Sequence, residues 1–199
     1  MLQNPSITHT WSDASEKHQA IAYHVQEILK LVGEDVNREG LLDTPLRVGK
    51  MFDELLAGMN VNLEDVLNTT FEEHTEGPVI VKDITFYSLC EHHMVPFFGT
   101  AHVAYLPSTR IVGLSKIARL VDAVSTRLQV QERMTEQIVA TIDRVLDPQG
   151  VIALIEAEHT CMCARGVKKP GSRTTTLAAR GVYQDNFQLR NEFLQMIHR

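Results

Sequence analysis

Apolar residues in the first third of the chain recur at the spacing of an α-helix. Between Glu16 and Leu31 they return every three or four residues and mark one face, and Gly33 follows as a stop signal. Thr44-Pro45 has the form of an N-cap followed by the proline of a first helical turn, and Asn62 is a candidate cap for a short third helix. We therefore predict a helical segment over residues 1–77.

The pattern changes at Pro78. Residues Val79 to Tyr87 are mainly β-branched or aromatic, as is typical of a strand, and Phe98 to Leu106 has the composition of its partner. The order predicted from here on is strand 79–87, strand 98–106, a helix introduced by Gly113, a helix over 132–146, strand 151–164, strand 174–183 and a C-terminal helix over 186–197. This order predicts an α+β domain over residues 78–199, with helices on one face of an antiparallel four-stranded sheet. The two open edges of such a sheet favour strand pairing between subunits.

Composition and charge argue against several classes of protein. The hydrophobic content of 44% and the charged content of 22% are ordinary for a globular domain, and no apolar run approaches the roughly 18 residues of a membrane span. The polar N-terminus lacks the apolar core of a signal peptide. A net charge of -6 argues against general binding to nucleic acid. Three cysteines do not make a disulfide framework, so we expect a cytoplasmic protein with reduced thiols and no membrane partner.

Two clusters of cysteine and histidine carry the candidate chemistry. Cys90 and His93 flank two residues, a common spacing for zinc ligands, and a second cluster from His159 to Cys163 offers a distant thiolate. If the strand predicted over 151–164 is regular, alternate residues from His159 to Arg165 share one face, so spacing alone cannot choose between Cys161 and Cys163. Three protein ligands would leave one position open for water or substrate, as in catalytic zinc sites. The two clusters together predict metal-activated water chemistry.

Histidines beside the candidate ligands could move protons. His92 is left over in the first cluster, and its ordinary pKa near neutrality suits acid–base work. An isolated Cys-x-x-His would more often be incidental, so the metal interpretation depends on both clusters being present. We expect Cys163 to be a small buried hydrophobic residue, as free cysteines usually are.

Basic residues at helical spacing are candidates for an anion site. Lys116 and Arg119 share a face of the helix that Gly113 and Ser115 introduce, and a helix N-terminus also offers unpaired N–H groups. Further cations at suitable positions are Arg47, Lys50 and Arg165. For any single pair, a solvated helix face is the commoner explanation.

Gln131-Glu132 stands at the start of a predicted helix and has two interpretations. An acid in the first turn complements the helix dipole and needs no other purpose. A buried carboxylate there could instead accept two hydrogen bonds from a guanine edge. Composition alone favours the first interpretation.

Several segments resemble those of a known enzyme family, in the same order and from about Glu16 to the end of the chain. The segments are Cys90-Glu91-His92-His93, Gly113-Leu114-Ser115-Lys116-Ile117-Ala118-Arg119, Gln129-Val130-Gln131-Glu132-Arg133, His159-Thr160-Cys161-Met162-Cys163-Ala164-Arg165-Gly166, Thr44-Pro45-Leu46-Arg47 and Asn191-Glu192-Phe193-Leu194. They are similar to the signatures of GTP cyclohydrolase I. The resemblance implies the tunnelling fold, a toroidal decamer with active sites between subunits, and conversion of GTP and water to 7,8-dihydroneopterin triphosphate and formate, the first step towards folates and other pterins.

The resemblance also implies roles for individual residues. It implies that Zn²⁺ is bound by Cys90, His93 and Cys161, and that Cys163 is not a ligand. The implied catalytic residues are His92, His159 and Ser115. The implied substrate contacts are Glu132 and Gln131 for guanine, and Lys116, Arg119, Arg165, Arg47 and Lys50 for the triphosphate.

Overall fold

The structure is a computed structural model that describes residues 11–73 and 75–198. The chain divides into two compact units, one up to Glu54 and one from Leu55 onwards. None of the helices in the described ranges is long and apolar enough to cross a membrane.

The N-terminal unit contains a pair of helices. Helix α1 covers Glu16–Leu31, as predicted, and the Ser15 side chain caps it by accepting a hydrogen bond from the backbone N–H of His18. Helix α2 covers Thr44–Leu55, so Thr44 lies inside the helix and its prediction as the N-cap is wrong by one residue. Its hydroxyl donates instead to the carbonyl of Gly40, 3.3 Å away. Gly49 allows a close approach to α1, because a Cβ there would lie 3.3 Å from the backbone oxygen of His18.

The second unit is built on a five-stranded sheet in the order β5-β2-β3-β6-β7. Its four long strands pair antiparallel, and the short β5 runs parallel to the end of β2. A separate small sheet pairs β1 with β4, and none of β1, β4 and β5 was predicted. The strands are β1 Thr70–Glu72, β2 Val79–Cys90, β3 Pro96–Leu106, β4 Arg110–Val112, β5 Leu128–Gln129, β6 Gly150–His159 and β7 Arg173–Gly181. The α+β class is confirmed.

Helices cover both faces of this sheet. The remaining helices are α3 Leu63–Val66, α4 Leu114–Ser125, α5 Gln131–Leu146, α6 Thr160–Cys163, α7 Val182–Asp185 and α8 Phe187–Ile197. Asn62 caps α3 as predicted. Helices α4 and α5 pack on one face, where Ala153 and Ile155 belong to the main core. Ile152 and Leu154 point the other way and pack with Phe193 of α8. The prediction of helices on one face therefore holds for α4 and α5, but α8 packs on the opposite face.

The strand predicted over 151–164 is shorter than expected. Strand β6 ends at His159, and the helical turn α6 follows, closed by a hydrogen bond from the backbone N–H of Ala164 to the carbonyl of Thr160. The Thr160 hydroxyl donates to the carbonyl of Pro96 and ties this turn to β3. The expectation that alternate residues from His159 to Arg165 share a strand face is therefore wrong, because the chain leaves the sheet after His159.

A buried histidine supports an irregularity in β2. The pairing of β2 with β3 shifts register between Val81 and Ile84, and Asp83 has a positive φ of 58°. The backbone N–H of Asp83 donates to Nδ1 of His102, 3.2 Å away. Burial lowers the pKa of His102, an effect that the nearby carboxylate of Asp83 opposes. The folded protein therefore favours neutral His102.

We expect stability to fall as the pH drops below about 6.5, the pKa of an unfolded histidine. Since the pKa of His102 is lower in the folded state, the unfolded state takes up a proton first, and stability is lost between the two pKa values. Urea unfolding at pH 7.5 and pH 5 would measure the loss. The variant His102→Asn keeps an acceptor for the N–H of Asp83 and cannot titrate, so its loss should be smaller. An equal loss in both proteins would contradict the assignment.

Candidate metal and substrate site

A tight turn after β2 carries the first cluster. Cys90 is the last residue of β2, and its N–H donates to the carbonyl of Val95 while the N–H of Met94 donates to the carbonyl of Cys90. Met94 takes a positive φ of 53° to close the turn. The turn brings His93 back over the end of the strand, next to the turn α6 that carries Cys161.

Cys90, His93 and Cys161 form a group that could hold a metal ion. One ligand atom from each lies within 4.8 Å of the others. Burial raises the pKa of the Cys161 thiol, and the neighbouring Cys90 raises it further, because two thiolates side by side repel each other. A divalent cation would instead favour the deprotonated thiolates, because the thiolate is the form that binds metal. Two sulfurs and one imidazole fit a zinc ion with a fourth position left open.

Cys163 lies outside this group. Its Sγ is 3.2 Å from Oε1 of Glu158, and burial together with this carboxylate raises the pKa of its thiol. The side chain is half-buried and makes polar contacts, so the prediction of a small buried hydrophobic residue is wrong. The geometry thus distinguishes two cysteines that spacing left equivalent.

His159 stands beside the group in a well-defined orientation. Its ring stacks on Phe97 with centroids 4.6 Å apart and an angle of 3° between the planes. Its Nε2 lies 2.8 Å from Oε1 of Gln131. Burial lowers the pKa of His159, and the carboxylate of Glu132 opposes that effect. Glu132 is therefore close enough for its charge to act on this imidazole.

Gln131 fixes which nitrogen of His159 carries a proton. The Gln131 side chain is buried, and its amide nitrogen donates to the carbonyls of Ile155 and Thr174 and to the hydroxyl of Thr176. With the amide nitrogen so placed, its oxygen must accept, and Nε2 of His159 must donate. The other nitrogen, Nδ1, is the one left for substrate. The sequence suggested Gln131 only as a substrate contact.

An ion pair joins the metal-site turn to the start of α5. Arg133 binds the carboxylate of Glu91, and its Nε donates to Oε1 of Gln129, 3.1 Å away. The backbone N–H of Glu91 also donates to the carbonyl of Gln129. Sequence reasoning assigned no role to Glu91 or Arg133. The only indication was that both residues belong to the motifs quoted above.

Replacing Arg133 with methionine is expected to lower the zinc affinity by about tenfold, because partners that orient metal ligands contribute at this level. A competition titration against a chromophoric chelator would measure it. The matched control is Arg144→Met, which removes an exposed ion pair with Glu64 from the same helix. Equal zinc affinities in the two variants would show that the Glu91 pair does not support the site.

Three predicted substrate residues lie far from the metal group of the same chain. Ser115, Lys116 and Arg119 are in the first half of α4, which follows β4. The N–H of Val112 in β4 donates to the hydroxyl of Tyr105, at the end of β3 that pairs with the start of β2. Cys90 is at the other end of β2, and α4 runs back towards it for 12 residues, about 18 Å, before Leu128 pairs with Leu89. The structure therefore does not bring these three residues to the Cys/His group within one chain.

Two further candidate cations belong to the N-terminal unit. Arg47 pairs with Asp43, the residue just before α2, at 3.3 Å, and both side chains are exposed. Lys50 lines a cavity of about 510 Å³ together with His18 and Trp11. The Arg47 pair matches the simpler expectation of a solvated helix face.

The fold and the site define the class of protein. A group of two cysteines and a histidine lies at the end of an antiparallel sheet. Beside it is His159, one ring nitrogen of which is hydrogen-bonded to Gln131. These features are typical of an enzyme in which a metal and an imidazole act on the same substrate.

Comparisons with known proteins identify the family. The sequence model of the GTP cyclohydrolase I family matches residues 21–198 of this chain. GTP cyclohydrolase 1 of Streptococcus gordonii is 52% identical over 184 residues, which are 92% of this chain and 97% of that protein. The Bacillus subtilis protein of the same name is 52% identical over 182 residues, 91% of this chain and 96% of that protein. The chain belongs to the GTP cyclohydrolase I family.

Among solved structures, the archaeosine synthase QueF-Like in its apo form aligns with 55% of this chain and 97% of that chain. The TM-score is 0.46 and the identity is 15%.

Proposed function

We propose that the protein hydrolyses and rearranges GTP to 7,8-dihydroneopterin triphosphate and formate, with zinc held by Cys90, His93 and Cys161. The observation that carries the proposal is the family match over residues 21–198 combined with ligand atoms within 4.8 Å of one another. We assign the catalytic domain, a tunnelling fold, to residues 78–199 and a helical segment to residues 1–77.

The reaction requires water to attack C8 of the guanine ring. Cys90, His93 and Cys161 would hold a zinc ion, whose chemistry would be to make water acidic enough to serve as this nucleophile near neutral pH. His159 acts from its doubly protonated form, which the charge of Glu132 favours against burial. Since its Nε2–H stays on Gln131, it protonates N7 from Nδ1, which makes C8 electrophilic and leaves a neutral imidazole. His92, whose Nδ1 is 3.8 Å from Sγ of Cys90, handles a second proton as the ring opens and formate leaves. Ser115 assists opening of the ribose before the new ring closes.

Glu132 recognises guanine in this proposal. Its carboxylate accepts from N1–H and from the exocyclic amino group, a pattern that adenine does not present. Its exposed position in the first turn of α5, close enough to His159 to affect its pKa, supports this role. Gln131 contributes by holding the imidazole against the same part of the substrate.

We expect Glu132→Gln to lower kcat/KM for GTP by roughly 10²-fold, because the amide can accept from only one of the two donors. The ratio of kcat/KM for GTP to kcat/KM for ATP should fall as well. The matched control is Glu136→Gln, one turn later on α5, where the carboxylate pairs with Arg180. A preference for GTP that stays the same in Glu132→Gln would remove this residue from the pocket.

The triphosphate contacts require more than one chain. We assign Lys116, Arg119 and Arg165 to the triphosphate, with Arg47 and Lys50 as further contacts, in a homodecamer whose active sites lie between subunits. The distance between the start of α4 and the Cys90 end of β2 supports this arrangement, since a neighbouring copy could supply what one chain lacks. Strand β7 is at the edge of the sheet in the described residues and could pair with such a copy.

We place the reaction in the cytoplasm, with GTP as the small-molecule partner. The three cysteines are free thiols, which suits a reducing compartment.

One assay tests the whole proposal. Zinc-loaded protein incubated with GTP should release formate and produce pterin fluorescence. Zinc binding without formate would indicate an enzyme of the same fold that acts on another ring. Unfolding on chelation, with no turnover of GTP, would indicate a zinc-stabilised assembly module instead.

A further inference from the structure

The side chain of Arg165 contacts a residue of the metal group. Its Nη1 lies 2.7 Å from Nε2 of His93. A guanidinium offers only N–H donors and stays protonated, so the ring nitrogen must accept this hydrogen bond. His93 is therefore held with a lone pair on Nε2, which for a neutral imidazole puts the proton on Nδ1.

This hydrogen bond cannot persist once His93 binds a metal. A neutral imidazole binds a metal through one ring nitrogen and carries its proton on the other. If the metal takes Nε2, the lone pair that accepts from Arg165 is used. If the metal takes Nδ1, the proton lies on Nε2 and faces the N–H of the guanidinium. Both arrangements remove Arg165 from His93.

The guanidinium lies against His93, one of the three candidate ligands, where a bound metal would change what it contacts. It extends from an exposed loop in which Gly166 and Lys168 have positive φ angles, and its own side chain is exposed.

We propose that Arg165 is a positioning residue that couples the metal site to the anion site. It occupies His93 in the metal-free protein, and metal binding releases it to the polyphosphate of the substrate. The identity of that anion rests on the proposed function, but the competition for His93 does not. By linkage, an anion that takes Arg165 away from His93 favours metal binding by the same factor. Metal and polyphosphate therefore each strengthen the binding of the other.

The first test compares the zinc affinities of variants by competition with a chromophoric chelator. Arg165→Met should bind zinc about tenfold more tightly than the unaltered protein, because no charged hydrogen bond has to be broken. The matched control is Lys168→Met, which removes one positive charge from the same loop. The Lys168 side chain makes no hydrogen bond or ion pair within residues 11–73 and 75–198. No gain in Arg165→Met, or the same gain in both variants, would overturn the proposal.

The second test needs no substitution. Crystal structures of the metal-free and the zinc-loaded protein should show the contact between Arg165 and His93 in the first and not in the second. A guanidinium still within hydrogen-bond distance of Nε2 in the zinc-loaded protein would refute the coupling.

The proposed function and the proposed coupling through Arg165 can be refuted independently. Absence of formate from GTP, with tighter zinc binding in Arg165→Met and release of the contact, would reject the function and keep the coupling. Formate production with unchanged zinc affinity in Arg165→Met would keep the proposed function and reject the coupling.

Discussion

The variant Cys161→Ser is expected to lose its zinc and its turnover together. A serine hydroxyl is a poor replacement for a thiolate ligand, and the remaining pair, Cys90 and His93, cannot hold the ion against dialysis. Turnover should fall by roughly 10³-fold or more, because a metal that activates water contributes several kcal/mol. Metal analysis and formate release would be measured on the same preparation.

The chain contains its own control for this experiment. Cys163→Ser removes a thiol two residues away that contacts Glu158 and the carbonyl of Lys169 rather than the metal group. It should keep a full complement of zinc and nearly full activity. Full zinc in Cys161→Ser, or lost zinc in Cys163→Ser, would show that the ligand has been assigned to the wrong cysteine.

The variant His159→Ala should bind GTP and fail to complete the reaction. The imidazole is assigned the proton transfer to N7, and a positioned acid contributes roughly 10²- to 10⁴-fold in rate. GTP binding should persist because guanine and triphosphate are held by other side chains. Equilibrium binding and single-turnover formate release would separate the two effects.

A suitable control is His198→Ala, which removes an exposed histidine just after α8. It should turn over GTP at the unaltered rate. Undiminished formate release by His159→Ala would refute its role as the acid. Loss of GTP binding in that variant would instead make His159 a substrate contact.

The long elements were predictable because their sequence pattern and their burial agree. Helix α1 occupies its predicted residues, and β2 and β3 contain the predicted strands with a few more residues at their ends. Cys90 and His93 could be proposed as a ligand pair because their common zinc-ligand spacing was supported by the second cluster, from His159 to Cys163. The short strands β1, β4 and β5 were missed because two or three residues carry no measurable periodicity.

The rest of the site depends on tertiary contacts that sequence spacing does not contain. The end of β6 at His159 is set by the contact of Thr160 with β3, so an alternating pattern extended past it gave the wrong face for Cys161. The orientation of His159 depends on Gln131, whose amide is held by the backbone of two strands distant in sequence. The separation of Ser115 from the metal group follows from sheet topology, which residue spacing cannot reveal.

The amide of Gln131 makes the orientation of His159 sensitive to opening of the edge strand β7. Two of its three acceptors, the carbonyl of Thr174 and the hydroxyl of Thr176, belong to β7, one of the two edge strands of the five-stranded sheet. When that strand opens, the amide can rotate and His159 loses its tautomeric bias. A strand of a neighbouring subunit paired with β7 would make this opening rarer. We therefore expect that, on dilution, hydrogen exchange at β7 becomes faster while proton transfer by His159 becomes slower.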